Sequence, residues 1–263
     1  MKIYAFSDIH GQWELFDKIL KHIKKDNEEY LCYFLGDACD RGPDGYKIMT
    51  YLLEHSEQFV YLKGNHEDMF VRAAREFLSQ AQEEGYSGSQ WAARFDWNAA
   101  DVMFGGPDMY LHWRNGGEST FASWMRAGCP TKILKQLDSL PLMEELSIID
   151  GDNDTITRVY DMCHAGCKMK DWNEEVEDAL LWDRDHFFQE WKFETNGVQH
   201  VLIHGHTPIP HMPIHFLKMN NMNTTMPIRY NSKIDLDTGC FHSGIINLFD
   251  IGEDVFFTFS KDS

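Results

Sequence analysis

Four short polar motifs contain the residues of this chain that are best suited to bind metal ions. In chain order they are Asp8-Ile9-His10-Gly11, Gly36-Asp37-Ala38-Cys39-Asp40-Arg41-Gly42, Gly64-Asn65-His66-Glu67 and Gly205-His206-Thr207. Their carboxylate, imidazole and amide groups are ligands that divalent cations accept in proteins. Ligands of these types indicate a site in which a pair of divalent cations binds a phosphate group. Each motif also follows an apolar run, which makes a chance occurrence of all four less credible.

The spacing of the first three motifs predicts that they meet in space. Asp8 and His10 are two residues apart at the end of a predicted strand, so their side chains point to the same side. Asp37 follows Asp8 by 29 residues and Asn65 follows Asp37 by 28, and each interval fits one strand–helix–strand unit. Because two cations about 3.5–4 Å apart need a shared anionic ligand, we predict that Asp37 bridges them.

Three further residues of these motifs suggest the chemistry at the phosphate. His66 directly follows Asn65, so the two side chains diverge, and His66 is predicted to face the substrate and donate a proton to the leaving oxygen. Asp40 could hold the His66 ring in orientation. Arg41 can bind phosphate oxygens with its forked guanidinium group, with a surface salt bridge as the alternative.

Histidines at two further strand ends are predicted to complete the metal ligands. His164 and His206 each follow an apolar run. His204 lies two residues before His206 and could take the same role, but Gly205 and Thr207 place His206 at the turn. The remaining histidines carry no motif context and are predicted to be structural or solvated: His22, His55, His112, His186, His200, His211, His215 and His242.

The elements that must position these residues are predicted from hydrophobic periodicity. Apolar strands over 2–7, 30–35 and 59–62 each precede a motif, and apolar residues at helical spacing follow it. Strands that alternate with helices favour parallel pairing, and ligands gather at the carboxyl ends of parallel strands. Later in the chain, the runs flanking residues 150–154 predict a β-hairpin, and the alternation over 234–259 predicts a β-meander.

Residues 68–145 interrupt this alternation and are rich in aromatic residues, methionine and glycine turns. We predict that they form a helical cap inserted into a single domain that spans residues 1–263. Four aromatic residues of this segment could form either a wall for the substrate or the cap's own small core: Trp91, Phe95, Trp97 and Trp113.

The composition limits the classes of function. With 263 residues, of which 43% are apolar, the chain can bury a core and is not expected to be disordered. The net charge of −18 argues against a general nucleic-acid binder, although bound cations can reverse the local field for an anionic substrate. The sequence has neither a membrane span nor a signal peptide, so we expect a cytoplasmic location. The six cysteines lack paired CxxC spacing and are expected to be buried, reduced thiols.

Together, these motifs resemble those of the calcineurin-like metallophosphoesterase superfamily, and more closely its phosphoprotein-phosphatase branch of small bacterial and phage enzymes similar to lambda phosphatase. The resemblance is dense over residues 1–67 and resumes at His164, Leu181-Trp182-Asp183-Arg184, His204 to Pro208 and Asp237-Thr238-Gly239-Cys240. It implies an α/β (α+β) fold, in which a central β-sandwich of two mixed sheets is flanked by helices and carries the site at one edge.

The resemblance also implies a role for each site residue. The implied ligands of one metal are Asp8, His10 and Asp37, and those of the other are Asp37, Asn65, His164 and His206. The implied acid pair is His66 with Asp40, and the implied phosphate ligands are Arg41, Asn65 and Arg184. Manganese is the usual activating ion of such relatives, and iron or zinc would suit the same nitrogen and oxygen ligands.

The implied function is hydrolysis of phosphate monoesters by a dinuclear metal site, with a metal-bridging hydroxide as nucleophile and a phosphoserine or phosphothreonine protein as substrate. A symmetrical diadenosine tetraphosphate hydrolase is the nearest alternative, because the same metal site serves both chemistries and the aromatic cap could stack adenine. A phosphodiesterase is less favoured, since Pro208 stands where many such relatives have histidine. A metal-binding scaffold without catalysis is disfavoured because every predicted ligand is present, and the oligomeric state is left open.

Overall fold

In a computed structural model, the chain forms two β-sheets that pack face to face, with helices on the outer face of the first sheet. The structure describes residues 1–25, 29–95, 105–150, 154–166, 174–185, 189–219 and 223–261. The strands are β1 (Lys2–Phe6), β2 (Tyr30–Phe34), β3 (Phe59–Tyr61), β4 (Met143–Asp150), β5 (Thr155–Cys163), β6 (Glu194–Thr195), β7 (Val198–His204), β8 (Ile228–Tyr230), β9 (Lys233–Asp235), β10 (Ile245–Asp250) and β11 (Val255–Ser260). The helices are α1 (Trp13–Ile23), α2 (Gly45–Glu54), α3 (Asn65–Glu83), α4 (Gly88–Ala92), α5 (Pro107–Arg114), α6 (Glu118–Arg126), α7 (Thr131–Asp138), α8 (Glu174–Trp182), α9 (Ile214–Met219) and α10 (Cys240–Ser243).

Both sheets contain parallel and antiparallel pairs. The first has the strand order β11-β10-β1-β2-β3, in which β1, β2 and β3 run parallel and β10 pairs antiparallel with β1. The second has the order β4-β5-β7-β9-β8, in which β5, β7 and β9 run parallel, and the short β6 pairs with β7. The predicted fold class, a sandwich of two mixed sheets flanked by helices, is confirmed.

The two faces of β1 show how the layers are held together. Tyr4 and Phe6 belong to the buried cluster between the first sheet and the helices. Ala5 belongs to the cluster between the two sheets, together with Met162 and Ile203 of the second sheet. Because successive side chains of a strand point to opposite faces, one apolar strand contributes to both cores.

The described part of residues 68–145 is mainly helical. It contains most of α3, the helices α4 to α7 and the start of β4. Phe121 and Trp124 of α6 are fully buried in the same cluster as Phe6 of β1, so these helices contribute to the main core. The description of this segment as an inserted cap within one domain stays a prediction.

The four aromatic residues singled out in this segment have different surroundings. Trp91 and Phe95 are half-buried against the main core, which favours the core role for both. Trp113 is half-buried and lines an open groove of about 550 Å³ that Arg41 also lines. Trp97 lies outside the described residues.

The predicted β-meander over 234–259 is wrong in its arrangement. β9 belongs to the second sheet, whereas β10 and β11 form a hairpin in the first sheet. The short helix α10 lies between β9 and β10 and so connects the two sheets. Gly239 and Gly244 flank α10 with φ of 68° and 66°, a left-handed conformation that glycine adopts readily. The predicted hairpin is confirmed by the antiparallel pairing of β4 and β5, while its turn at 151–153 lies outside the described residues.

The other expectations from composition concern membranes and cysteines. None of the described helices combines the length and the apolar character needed to cross a bilayer. Cys167 lies outside the described residues. No disulfide is present in the described part of the chain, where the buried cysteines are Cys32, Cys39, Cys129, Cys163 and Cys240.

Candidate active site

The carboxyl ends of five strands meet at one edge of the sandwich. In chain order, the segments that follow β1, β2, β3, β5 and β7 carry Asp8 with His10, Asp37, Asn65, His164 and His206. Strands of one sheet that run parallel end at the same edge, which is where ligands bind in such folds. Because the first three strands belong to one sheet and the last two to the other, the site lies where the two sheets meet.

Two overlapping groups of buried side chains could each hold a metal ion. One consists of His10, Asp37 and His66, and the other of Asp37, His164 and His206. Within each group, one ligand atom from every residue lies within 4.8 Å of the others. Both groups share Asp37, which is the residue predicted to bridge two cations. These two sets are called the metal groups below.

The remaining two predicted ligands border the metal groups. Asp8 Oδ1 lies 4.0 Å from His10 Nε2 and has no hydrogen-bond partner among the described residues. Asn65 Oδ1 lies 2.9 Å from His164 Nε2 and 3.1 Å from His206 Nδ1. The structure therefore brings all six predicted ligands together, and Asp8 offers a buried oxygen atom that a cation would satisfy.

Two of the histidines are held in the tautomer that suits a metal ligand. His10 Nδ1 lies 3.0 Å from the carbonyl oxygen of Cys39, and His164 Nδ1 lies 2.8 Å from that of Leu35. Because a carbonyl oxygen only accepts, each Nδ1 donates and each Nε2 keeps its lone pair. Orientation by a backbone carbonyl is the usual support of a metal-binding imidazole.

Burial sets the charges of the site. It raises the pKa of Asp37 well above the ordinary range, and the nearby carboxylates of Asp8 and Glu67 raise it further. Burial also lowers the pKa of His10 and of His164, so that both imidazoles are neutral at neutral pH. Crowded carboxylates beside neutral imidazoles fit divalent cations, which would offset the like charges. Nitrogen and oxygen ligands of this kind suit manganese, iron or zinc.

Metal loading is expected to release protons and to become tighter as the pH rises. Because the raised pKa of Asp37 favours its protonated form, a cation competes with a proton there, and the dissociation constant for Mn²⁺ should fall by up to about tenfold per pH unit for each proton released. Calorimetric titration with Mn²⁺ on both sides of neutral pH, in two buffers of different protonation enthalpy, measures both quantities. An affinity that does not change with pH would contradict the raised pKa of Asp37.

His66 and Asp40 form the buried pair predicted for proton donation. Nδ1 of His66 donates to Asp40 Oδ2 over 2.8 Å. Burial alone would raise the pKa of Asp40, but the charge and hydrogen bond of His112, together with those of His66, lower it well below its usual range. Asp40 is therefore a carboxylate, and Nε2 of His66 is the nitrogen atom left for a leaving group. The contact of His112 with Asp40 was not predicted, because His112 carries no sequence motif.

Arg41 lies between two imidazoles of the first metal group. Its Nη1 donates to His10 Nε2 over 2.7 Å, and its Nη2 donates to His66 Nε2 over 3.0 Å. Because arginine only donates, both imidazole nitrogens are acceptors here. The half-buried guanidinium group thus lies beside the metal groups, where it could bind a phosphate. This location does not fit the alternative of a surface salt bridge.

Six of the predicted site residues have a left-handed backbone conformation. They are Asp8 (φ 54°), His10 (φ 43°), Asp37 (φ 63°), Asp40 (φ 67°), Arg41 (φ 63°) and His206 (φ 69°). This conformation costs about 1–3 kcal/mol for each residue other than glycine and persists only where the surrounding structure holds it. The strain is concentrated in the loops that present the ligands.

Glu67 is a main support of these loops, although no role was predicted for it. Its carboxylate accepts hydrogen bonds of 2.8–2.9 Å from the backbone N–H groups of Gly64, Asp37 and Ala38. It also accepts one of 2.8 Å from the hydroxyl group of Tyr61. Its place three residues after Gly64, where α3 begins, is typical of a helix-capping glutamate and was the signal available in the sequence.

The structure distinguishes the two histidines of the last motif. His204 Nε2 lies 2.9 Å from the hydroxyl group of Tyr230, and His204 belongs to neither metal group. Arg184 donates to the carbonyl oxygen of His206 over 3.2 Å and to Thr207 Oγ1 over 3.0 Å. The residue predicted to bind phosphate from the family resemblance therefore lies against a loop that carries a metal-group histidine.

A basic cavity of about 340 Å³ adjoins the metal groups. It is lined by Arg41, Arg114, Arg184, His211 and His242, among others. None of the described residues that line it is acidic, although the chain as a whole has a net charge of −18. Arg114 had no predicted role, and His211 and His242 were predicted to be structural or solvated, because these residues come from separate segments that only the fold brings together.

Comparison with known proteins gives partial matches to several phosphate-cleaving enzymes. A symmetrical bis(5'-nucleosyl)-tetraphosphatase of Buchnera aphidicola subsp. Schizaphis graminum is 31% identical over 86 residues, which are 33% of this chain and 31% of that protein. A protein of the same name from Chromobacterium violaceum is 32% identical over 76 residues, 29% of this chain and 27% of that protein. A zinc-dependent endopolyphosphatase of Saccharomyces cerevisiae is 34% identical over 74 residues, 27% of this chain and 23% of that protein. The matches thus span about a third or less of the length of these relatives.

The fold and the family are matched over far more of the chain. The crystal structure of a candidate diadenosine tetraphosphatase resembles this chain with a TM-score of 0.53 at 14% identity, over 98% of this chain and 93% of that one. A sequence model described as calcineurin-like phosphoesterase matches residues 1–236, which include both metal groups. The protein therefore belongs to the calcineurin-like phosphoesterase family, whose members are hydrolases of phosphoester bonds.

Proposed function

We propose that the protein is a metal-dependent hydrolase of dinucleoside polyphosphates, which it cleaves within the phosphate chain. The observation that carries this substrate class is the basic cavity beside the metal groups. Two of the relatives described above are named symmetrical bis(5'-nucleosyl)-tetraphosphatases, which supports the same class over the matched third of the chain. The phosphoserine or phosphothreonine protein expected from the sequence stays a prediction and is the competing outcome of the assay below.

The distribution of charge favours a substrate with several phosphates. One phosphate would have the metal groups, Arg41 and Arg184 as partners, while Arg114 and two histidines of the cavity would remain unused. Guanidinium groups bind phosphate oxygens through paired hydrogen bonds, so a phosphate chain would give each arginine a partner. A positive cavity in an acidic protein also raises the local concentration of a polyanion.

In the proposed reaction, water attacks a phosphorus atom in line with a bridging oxygen, and the bond to that oxygen breaks. Two divalent cations, bound by the six predicted ligands, would lower the pKa of water and offset the charge of the phosphate oxygens. Arg41 would turn its donors from His10 and His66 to the phosphate. Once Arg41 has turned away, Nε2 of His66 would take up a proton from solvent while Nδ1 still donates to Asp40, and the resulting imidazolium would give that proton to the leaving oxygen.

The substrate class is tested by a side-by-side assay of the manganese-loaded protein on diadenosine tetraphosphate and a phosphothreonine peptide. We expect kcat/KM to be at least about 10²-fold higher for the dinucleotide, since two charge-assisted hydrogen bonds of about 1.5 kcal/mol each amount to that factor. A clear preference for the peptide would instead support the protein phosphatase predicted from the sequence.

Arg114→Ala is expected to raise the KM for diadenosine tetraphosphate by roughly tenfold, because one charge-assisted hydrogen bond is lost. The rate on p-nitrophenyl phosphate, which carries one phosphate, should stay within about twofold of the unsubstituted protein. Arg75→Ala is the matched control, since Arg75 is an exposed arginine paired with Asp138 and lies outside the cavity. Equal effects of the two substitutions on the dinucleotide would contradict a role of the cavity in binding phosphate.

A further inference from the structure

We infer that His112 is a positioning residue for proton donation: it holds Asp40, and Asp40 in turn holds His66. This inference rests on the proposed function, in which Nε2 of His66 donates a proton to the leaving oxygen. From the sequence, His112 was predicted to be structural or solvated. It comes from α5, a helix far along the chain from both of the residues that it connects.

The three side chains form a continuous row of hydrogen bonds. His66 Nδ1 lies 2.8 Å from Asp40 Oδ2, and His112 Nε2 lies 2.9 Å from Asp40 Oδ1. A carboxylate only accepts, so both imidazoles donate to it, and each carboxylate oxygen has its own partner. Each of the three residues is at most 1% exposed, so water does not compete for these hydrogen bonds.

The surroundings of His112 leave its ring a single polar contact. The ring packs against Phe70 and Phe121, with centroid distances of 5.7 Å and 6.0 Å. A side chain on Gly117 would collide with the ring, so the ring is enclosed on that side as well. Nδ1 of His112 has no hydrogen-bond partner among the described residues. Among the described residues, the hydrogen bond to Asp40 is therefore the polar interaction that this buried imidazole makes.

The segment that follows α5 holds the backbone of the loop that carries Asp40 and Arg41. Thr120 Oγ1 accepts a hydrogen bond of 2.8 Å from the N–H of Asp40, and the carbonyl oxygen of Gly116 accepts one of 2.8 Å from the N–H of Arg41. Asp40 and Arg41 both have the strained left-handed conformation described above. These hydrogen bonds stabilise an arrangement that the loop would not keep by itself.

Loss of the imidazole would leave Oδ1 of Asp40 without its partner and allow the carboxylate to reorient. Proton transfer requires the donor atom within about 2.6–3.2 Å of the leaving oxygen, so a small rotation would misplace Nε2 of His66. The value of kcat should therefore fall most for substrates whose leaving group is strongly basic and must be protonated as it departs. A purely structural role of His112 would instead lower stability and affect good and poor leaving groups equally.

The experiment compares His112→Gln, His112→Asn and His112→Ala in the manganese-loaded protein. A glutamine amide nitrogen can reach the place of Nε2 and donate to Asp40, whereas an asparagine amide reaches only the place of Nδ1. We expect the Asn and Ala variants to lose about 10- to 100-fold in kcat on phenyl phosphate, as is usual for supporting hydrogen bonds, and less than about threefold on p-nitrophenyl phosphate. The Gln variant should retain most of the rate on both, and Mn²⁺ content should be unchanged in all three.

His200→Ala is the matched control for the loss of a buried histidine. His200 Nδ1 is bonded to Asp161 over 2.9 Å, and His200 is similarly buried. It lies outside the two metal groups defined above, in a separate set with Asp161 and the exposed Glu145 that could itself hold an ion, so Mn²⁺ content is measured for this variant as well. Its substitution should lower the melting temperature without changing the ratio of rates on the two phosphates. Equal losses of the His112 variants on both phosphates, or a Gln variant no better than Asn, would overturn the positioning role while the proposed function stands. An unsubstituted protein that hydrolyses neither aryl phosphates nor the dinucleotide would overturn both.

Discussion

Asp37→Asn is expected to lower kcat/KM for every phosphate substrate by about 10³-fold or more. Asp37 is the one residue that both metal groups share, so loss of its charge weakens two cation positions at once. Bound cations contribute several kcal/mol of transition-state stabilisation, and about 4 kcal/mol corresponds to roughly 10³-fold in rate. The Mn²⁺ content of the dialysed variant, measured by elemental analysis, should fall together with its activity.

The same substitution is expected to stabilise the protein when divalent cations are removed. Burial and the carboxylates of Asp8 and Glu67 raise the pKa of Asp37, so its ionisation opposes folding. Asparagine removes that charge and can still accept the hydrogen bond from the N–H of His66. The gain should be present at neutral pH and should vanish in acid, as the pH falls through the raised pKa toward the value of the unfolded chain. Each kcal/mol gained would raise the melting temperature by about 2–4 °C in EDTA.

Asp235→Asn is the matched control for this experiment. Asp235 is fully buried, and burial together with Asp237 raises its pKa, yet it belongs to neither metal group. Its substitution should also relieve buried charge but leave Mn²⁺ content intact. If Asp37→Asn kept both Mn²⁺ and activity, the bridging role of Asp37 would be wrong.

His66→Asn is expected to keep its metals and to lose about 10²–10⁴-fold in kcat on phenyl phosphate, the range for removal of a general acid. The asparagine amide can replace the Nδ1 donor to Asp40 but supplies nothing in the place of Nε2. The deficit should shrink on p-nitrophenyl phosphate, because nitrophenolate leaves without a proton. A parallel leaving-group series for the unsubstituted protein provides the reference slope.

A second interpretation of His66 makes it a metal ligand, since Nε2 lies 3.8 Å from Asp37 Oδ2 in the first metal group. The two interpretations differ in the stoichiometry of bound Mn²⁺. If His66→Asn binds one Mn²⁺ ion fewer and its kcat falls equally on phenyl phosphate and p-nitrophenyl phosphate, His66 is a metal ligand. Full occupancy with a loss confined to the poor leaving group would assign it to proton donation.

The residues that the sequence could predict are those whose roles follow from local position. Asp8, Asp37 and His164 follow apolar runs, and the end of a strand is enough to place such a residue at one edge of a sheet. The strand order was less predictable, as the wrong β-meander shows. Alternation of apolar residues identifies a strand, but it carries no information on which of two sheets the strand joins.

The supporting residues could not be predicted because their roles depend on contacts that only the tertiary structure creates. His112 reaches Asp40 from a helix within the predicted cap, and Arg114 joins Arg184 in the cavity across a gap of 70 residues. Neither contact has a local signature. The role of Glu67 was partly predictable. Its helix-capping position was visible in the sequence, whereas its hydrogen bond to the backbone of Asp37 was not.

The two sheets share one site, and this has a consequence for the order of assembly during folding. Asp37 comes from the first sheet, whereas His164 and His206 come from the second, and the first sheet itself is joined by the pairing of Tyr4 with Asp250. Contacts so distant in sequence form only after a large loss of chain entropy has been overcome. We therefore expect catalytic competence to arise late in folding, after both sheets have formed and packed together.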